Sequence, residues 1–374
     1  MIIIMQPHVT KDSNEFKKLM EYLKKYPHLQ IKVMEHKGTI RSILEVHLIG
    51  DTYMISPEEI EQLSGVEKAI RVTAKYRLIG RHGDLADLGF EYQGLTFDQN
   101  SFHIFAGLCA VDTYENVETM FKALKENGIC CSRMGAYKPR TSPYSFQGWG
   151  KKCLPWLFEL AGKYDIKIIA MEVLAPHHIE EIKEALENAG NPCGIMLQIG
   201  TRNAQNFELL KAVGKQKEFP VLYKRGYGLA LEESLNAAEY IASEGNTKIV
   251  FCLRGVRTHL GDPHRNLVDF SHVPVVKRLT RLPVCIDPSH PIGSRAVSPE
   301  GIRDIYHITA QGIISGANMI LVEFHPEPSK ALSDGPQSLY VDELPVYIEY
   351  VKKVKETYLE LKKLINENKE LIKP

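Results

Sequence analysis

The chain has 374 residues, 44% hydrophobic and 25% charged, enough to bury a barrel-sized core and leave a small second domain. Lysine plus arginine equals aspartate plus glutamate at 46 each, so no global field draws in nucleic acid or an anionic membrane surface, and any anion site is local. No apolar stretch approaches the roughly 18 residues of a membrane span, the opening MIIIM is too short for a signal sequence, and seven cysteines, an odd number with several in apolar runs, point to free thiols in a reducing cytosol.

The first 75 residues read as strand (IIIMQ), amphipathic helix (NEFKKLMEYLKKY), strand (IKVMEH), a turn at Lys37-Gly38-Thr39, strand (ILEVHLIG), helix (PEEIEQLSG) and strand (EKAIRVTAKY). This βαββαβ order is the ferredoxin-like arrangement. Ser13 and Ser56-Pro57 are expected N-caps. The unit holds no cluster of catalytic residue types, which leaves regulation, oligomerisation or packing alone. Residues 76–100 are expected as a linker, with a hairpin covering the bottom of the domain that follows.

From 101 to 374 the pattern changes. Eight runs, HIFAGLCA, CCSRMGA, KIIAMEVL, GIMLQIGTR, VLYKRG, KIVFCLRG, VCIDPSH and MILVEFH, lack polar alternation, as strands buried on both faces do. Segments of helical spacing separate them, and a long one closes the chain. Eight strand-then-helix units predict a (β/α)₈ barrel of the α/β class. In such a barrel the strand C-termini face one bowl, so Cys109, Arg133, Glu172, Arg202, Lys224, Arg254, His290 and Glu323 are expected to share an active site.

The segment Arg133–Tyr144, RMGAYKPRTSPY, carries three cations, two hydroxyls and two prolines after a barrel strand. Like charges in a cleft repel, so the loop asks for an anion, and proline limits the ordering cost of presenting Lys138, Arg140 and Thr141. Arg202, Lys224 and Arg254 end three successive strands. Any one alone reads as a rim charge paired with a helix acid, but the series predicts substrates carrying at least two phosphate or carboxylate groups.

Cys109, His290, Glu323 and Asp334 would offer one sulfur, one nitrogen and two carboxylates from the same bowl. That donor set suits Mn²⁺, Fe²⁺, Co²⁺ or Zn²⁺ rather than Mg²⁺ or Ca²⁺. A core thiol, a satisfied core histidine and an arginine partner remain the competing readings of the first three. No P-loop, GxGxxG or HExxH pattern is present, so nucleotide binding finds no support.

The segments AGLCAVDTYEN, RMGAYKPRTSPYSFQGWG, LQIGTRNAQNFELLKAVG, VLYKRGYG, GNTKIVFCLRGVRT, RNLVDFSHVPVVK, LPVCIDPSHPIG and LVEFHPEPSKALSDGPQSL resemble the 3-deoxy-D-arabino-heptulosonate 7-phosphate (DAHP) synthases, in the branch with an N-terminal ferredoxin-like regulatory domain. The resemblance implies metal-dependent condensation of phosphoenolpyruvate with erythrose 4-phosphate in the cytoplasm. It matches Arg133, Lys138, Arg202, Lys224 and Arg254 to phosphoenolpyruvate, Arg140 and Thr141 to erythrose 4-phosphate, and Cys109, His290, Glu323 and Asp334 to a divalent metal ion, with Lys138, Cys109 and His290 as the catalytic set. It also implies a homotetramer inhibited by an aromatic amino acid, without binding to nucleic acid or membrane. Met34 and His36 stand where His and Ser usually contact that inhibitor, so its identity does not carry over.

Leu108, Asp112 and Leu253 also depart from the family pattern, where proline, glutamate and glutamate are usual. The related 3-deoxy-D-manno-octulosonate 8-phosphate synthases usually read KANR where this chain has Lys138-Pro139-Arg140, which sets them behind. A catalytically silent sensor is the third reading. Glu172 is expected either to support a substrate-binding cation or to make an ordinary structural pair.

Overall fold

The structure, a computed structural model, describes residues 1–37, 42–52, 54–72, 75–81 and 86–371. It divides into two compact units, Met1–Leu85 and Ala86–Pro374.

The first unit contains β1 (Ile2–Met5), α1 (Asn14–Leu23), β2 (Gln30–Lys37), β3 (Ser42–Ile49), α2 (Pro57–Glu61) and β4 (Val66–Ile70). Its sheet has the order β2-β3-β1-β4, antiparallel throughout, with Ile3 opposite Val46 and Ala69. That is the ferredoxin-like topology. Ile3 and Met5 face a core completed by Phe16, Leu19 and Leu23 of α1 and Ile60 of α2. Ile2 and Ile4 enter a second cluster with Val72. Burial on both faces explains why β1 is uniformly apolar rather than alternating.

Ser56 caps α2, its Oγ accepting from the Glu59 amide at 3.3 Å. Ser13 stands at the N-cap of α1, but its Oγ accepts from the Thr10 amide at 2.8 Å instead of from the helix. The last strand ends at Ile70, short of the expected run. Gly38 and Thr39 of the expected turn lie outside the described residues.

The second unit opens with a hairpin, β5 (Phe90–Tyr92) and β6 (Leu95–Phe97). Parallel strands follow: β7 (His103–Gly107), β8 (Cys131–Arg133), β9 (Ile168–Val173), β10 (Gly194–Ile199), β11 (Val221–Lys224), β12 (Ile249–Leu253), β13 (Val284–Ile286) and β14 (Met319–His325). They pair in chain order, and β14 returns to β7, closing an eight-stranded barrel. A short β15 (Leu339–Tyr340) pairs with the end of β14. The intervening helices are α3 (Tyr114–Glu126), α4 (Leu154–Lys163), α5 (His177–Asn188), α6 (Phe207–Lys215), α7 (Leu231–Ser243), α8 (Val273–Leu279), α9 (Ser289–Ile292) and α10 (Asp304–Ile314), and α11 (Leu344–Glu367) closes the order.

Inside the barrel, Phe105, Cys131, Ile168, Met196, Leu222 and Val250 form one apolar layer toward the strand N-termini. Phe97 belongs to that cluster, and Phe90, Tyr92 and Leu95 pack against it. The hairpin therefore plugs the bottom of the barrel and leaves the C-terminal mouth to function. All seven cysteines are free thiols. Among the described residues no helix is long and apolar enough to cross a membrane.

Replacing Phe97 with alanine empties the plug. Urea denaturation is expected to show a loss of roughly 3–5 kcal/mol for the barrel unit.

Candidate active site

The strand ends converge on a buried carboxylate. Asp287, directly after β13, is fully buried and accepts from Lys224 Nζ at 2.6 Å. It also holds His290 Nδ1 at 2.9 Å, and Arg133 Nη1 lies 3.8 Å away. Burial works against the Asp287 charge, but His290, Lys224 and Arg133 outweigh it and hold the carboxyl well below its usual range. The bond at Nδ1 fixes the His290 ring with Nε2 turned to the site. Burial pushes the His290 pKa down to about 4, so the imidazole is neutral at neutral pH and Nε2 carries a lone pair.

Cys109, His290 and Glu323 each present a ligand atom, all within 4.8 Å of one another. Glu323 is fully buried; Gln337 donates to its Oε2 at 2.7 Å, whereas its Oε1 has no hydrogen-bond partner. That oxygen lies 3.3 Å from Arg133 Nη1 and 3.4 Å from His290 Nε2 without a hydrogen bond to either, and with the thiol and the imidazole lone pair it makes a donor set that fits a borderline divalent cation. Burial, then Asp334 and Glu323, raise the Cys109 thiol well above its ordinary value, against the pull of Lys138 and Arg133. Lys138 Nζ lies 2.6 Å from both Cys109 Sγ and Asp334 Oδ2. Asp334 is thus the outermost of the four expected donors, held by an ammonium rather than within the three-residue cluster.

Above these groups opens a cavity of about 150 Å³ lined by Lys138, Arg140, Thr141, Glu172, Arg202, Lys224, Arg254, Arg265, His290 and Asp334, among others. Arg254 decides its character. It is 1% exposed, and none of its three guanidinium nitrogens has a hydrogen-bond partner. The Tyr227 ring lies 4.9 Å from its guanidinium carbon, and Arg202 also approaches that ring at 5.6 Å. Burial lowers the Arg254 pKa from its usual value, yet arginine stays charged in proteins. A buried charge with five unused donors is strongly unfavourable unless an anion completes it.

Most of the expected residues therefore meet in one mouth. Arg133 differs: instead of lining the cavity it lies beneath it, its Nη2 donating to Cys109 Sγ at 3.2 Å and its Nη1 3.3 Å from Glu323. Arg225, beside Lys224 in sequence, points away to Asp269 at 3.1 Å and His272. Sequence reasoning missed Asp287, Arg265 and Gln337. Asp287 carried a signal, a carboxylate directly ending an apolar run. Arg265 and Gln337 sit in irregular loops with no periodicity to mark them; Arg265 donates to Gln337 Oε1 at 3.1 Å and reaches Asp334 at 3.5 Å.

Residues 88–360 match the model of the DAHP synthetase I family, and residues 1–74 that of the DAHP synthase ferredoxin-like domain. The chain belongs to the DAHP synthetase I family. It is 37% identical to the phospho-2-dehydro-3-deoxyheptonate aldolase of Thermotoga maritima, over 95% of this chain and 97% of that protein. The crystal structure of the Thermotoga maritima DAHP synthase superposes with a TM-score of 0.68 at 35% identity, covering 95% of this chain and 96% of that one. A 2-dehydro-3-deoxyphosphooctonate aldolase from Geobacter sulfurreducens is more distant, 29% identical over 58% of this chain and 76% of its own length.

One departure from the family pattern, Asp112, now has a structural account. Asp112 accepts from His325 Nε2 at 2.6 Å and from the Thr113 amide at 2.6 Å, so it ties β14 to the start of α3 instead of facing the cavity. Leu253 is fully buried in β12 and its carbonyl accepts from the Asp287 amide at 2.9 Å. Nothing in the structure explains Leu108. Glu172 lines the cavity, and Gln198 Nε2 donates to its Oε2 at 3.2 Å.

Replacing Asp287 with alanine leaves Lys224 without its buried partner. Chemical denaturation is expected to register a loss of roughly 3–5 kcal/mol, far beyond that of an exposed ion pair such as Lys211–Glu208.

Proposed function

We propose that this chain condenses phosphoenolpyruvate with erythrose 4-phosphate and water, giving 3-deoxy-D-arabino-heptulosonate 7-phosphate plus phosphate, the first step of the shikimate pathway. The observation that carries this is the unpaired, fully buried Arg254 guanidinium in a cavity that also holds Lys138, Arg140, Arg202, Lys224 and Arg265. Two carboxylates, Glu172 and Asp334, oppose those six cations, so the site calls for ligands of high negative charge.

In this reading Arg133, Lys138, Arg202, Lys224 and Arg254 hold the phosphate and carboxylate of phosphoenolpyruvate, Arg133 from beneath the cavity beside Cys109 and Glu323. Arg140 and Thr141 hold the phosphate of the aldose. Cys109, His290, Glu323 and Asp334 would hold a divalent ion, which would supply Lewis acidity to the site. Carbon 3 of the enol phosphate attacks the aldehyde carbon, water adds at carbon 2, and the hemiketal phosphate collapses with C–O cleavage. Burial alone would weaken the Lys138 ammonium, but Cys109 and Asp334 hold its pKa above the ordinary lysine value. Lys138 therefore enters the reaction protonated, able to donate to the oxygen anion that forms at the aldehyde.

The ion is Mn²⁺, Fe²⁺, Co²⁺ or Zn²⁺ on its donor set. The N-terminal unit serves as the regulatory module, with an aromatic amino acid as its effector and a homotetramer in the cytoplasm as the working form.

Phosphate release from phosphoenolpyruvate is expected with erythrose 4-phosphate and not with arabinose 5-phosphate, and it stops when the protein is stripped by chelation. Release with arabinose 5-phosphate alone would overturn the substrate assignment. His290→Ala is expected to abolish metal-dependent turnover; undiminished activity of that variant after chelation would refute the metal proposal. Arg254→Ala should lower kcat/KM for phosphoenolpyruvate by about 10- to 100-fold, the worth of charge-assisted hydrogen bonds to a buried anion.

A further inference from the structure

Lys138, Arg140 and Thr141 lie on an irregular segment, and such a segment needs an anchor if its cations are to stay ordered in a cavity of like charges. Two backbone bonds close the base of the loop, Lys138 N to Gln147 O and Gly150 N to Ala136 O, both 2.9 Å. Gly148 permits the closure, because at φ +90° a Cβ there would collide with the Ala136 carbonyl. These bonds tie the loop to itself and leave its position over the barrel undetermined.

Lys138 and Arg140 are tethered at their tips, to Cys109 and Asp334 and to Ser333, and Tyr137, immediately before Lys138, attaches the loop backbone to a barrel helix. It is buried, and its ring stacks on His178 of α5 with centroids 3.7 Å apart and planes inclined by 13°. Its hydroxyl donates to Glu181 Oε2, one turn further along α5, at 2.7 Å. His178 is itself fixed, since its Nδ1 accepts from the Leu174 amide at 3.2 Å, directly after β9. That bond requires the neutral tautomer with hydrogen on Nε2. Burial, and then His177, lower the His178 pKa, which keeps it in that form. A continuous path thus runs from the end of β9, which presents Glu172, through His178 and Tyr137 to Lys138.

We propose that Tyr137, clamped between His178 and Glu181, is a positioning residue that sets Lys138, Arg140 and Thr141 for the second, aldose phosphate substrate. The inference rests on the function assigned above. Of the residues assigned to phosphoenolpyruvate, Arg202, Lys224 and Arg254 end or follow β10, β11 and β12 and do not depend on this clamp, and Lys138 is the one on the loop. The aldose phosphate relies on the loop, so loosening the clamp acts on one substrate more than on the other.

Steady-state kinetics of the full-length, metal-loaded chain test this. Tyr137→Phe keeps the stack and removes the hydroxyl; the KM for erythrose 4-phosphate is expected to rise about tenfold, in line with one hydrogen bond to a charged acceptor. The KM for phosphoenolpyruvate and the melting temperature stay near those of the parent chain. Glu181→Ala gives the same split, the double variant is no worse than either single one, and Glu181→Gln, which retains an acceptor, recovers most of the loss. Amide hydrogen exchange reads the clamp without turnover: Lys138 loses protection in Tyr137→Phe. An unaltered KM for erythrose 4-phosphate together with unaltered protection would overturn the proposal, as would equal losses for both substrates with a lowered melting temperature. Failure of the parent chain to release phosphate tells instead against the catalytic assignment, and the exchange measurement still decides the clamp.

Discussion

Cations crowd the mouth of this barrel, and the carboxylate of Asp287 makes their arrangement tolerable. It lies where β13 ends, takes the ammonium of Lys224, orients the ring of His290 and faces Arg133. In a fully buried setting each contact is little screened, so one carboxylate organises Lys224 and His290 together. Glu323 plays the complementary part, with one oxygen held by Gln337 and the other facing Arg133 and His290 without a hydrogen bond.

Arg254 shows the opposite economy. It is buried with no internal anion to satisfy it, whereas Lys224 and Arg225 each have a carboxylate partner. That asymmetry separates strand-end charges already neutralised by the fold from Arg254, which is buried without a hydrogen-bond partner among the described residues. A site organised this way binds its anion with little rearrangement, because the desolvation of the guanidinium is already complete in the folded chain.

The barrel was legible in the sequence because strands buried on both faces lose polar alternation, leaving continuous runs that a polar residue ends abruptly. Cys109, Lys224, Arg254, His290 and Glu323 stood out for that reason. The same rule could not separate Arg225, which turns outward to Asp269, from its neighbour Lys224, because successive residues at a strand end diverge. Nor could it show that Arg133 lies beside Cys109 and Glu323 rather than along the cavity wall. Arg265, Gln337 and the Tyr137 clamp belong to loops and a helix face whose local sequence carries no mark of proximity to the site.

Element order, a closed barrel, a separate ferredoxin-like unit and the chemical kinds gathered at the strand ends were all legible in the sequence, because these follow from local periodicity and residue type. Only the tertiary structure decided which charges neutralise one another. Asp287 meets Lys224 across 63 positions of the chain, Lys138 meets Asp334 across 196, and Arg254 meets no carboxylate at hydrogen-bonding distance. Such pairings depend on strand register and side-chain direction in a closed ring, and on what else is buried there. Distance along the chain records none of these.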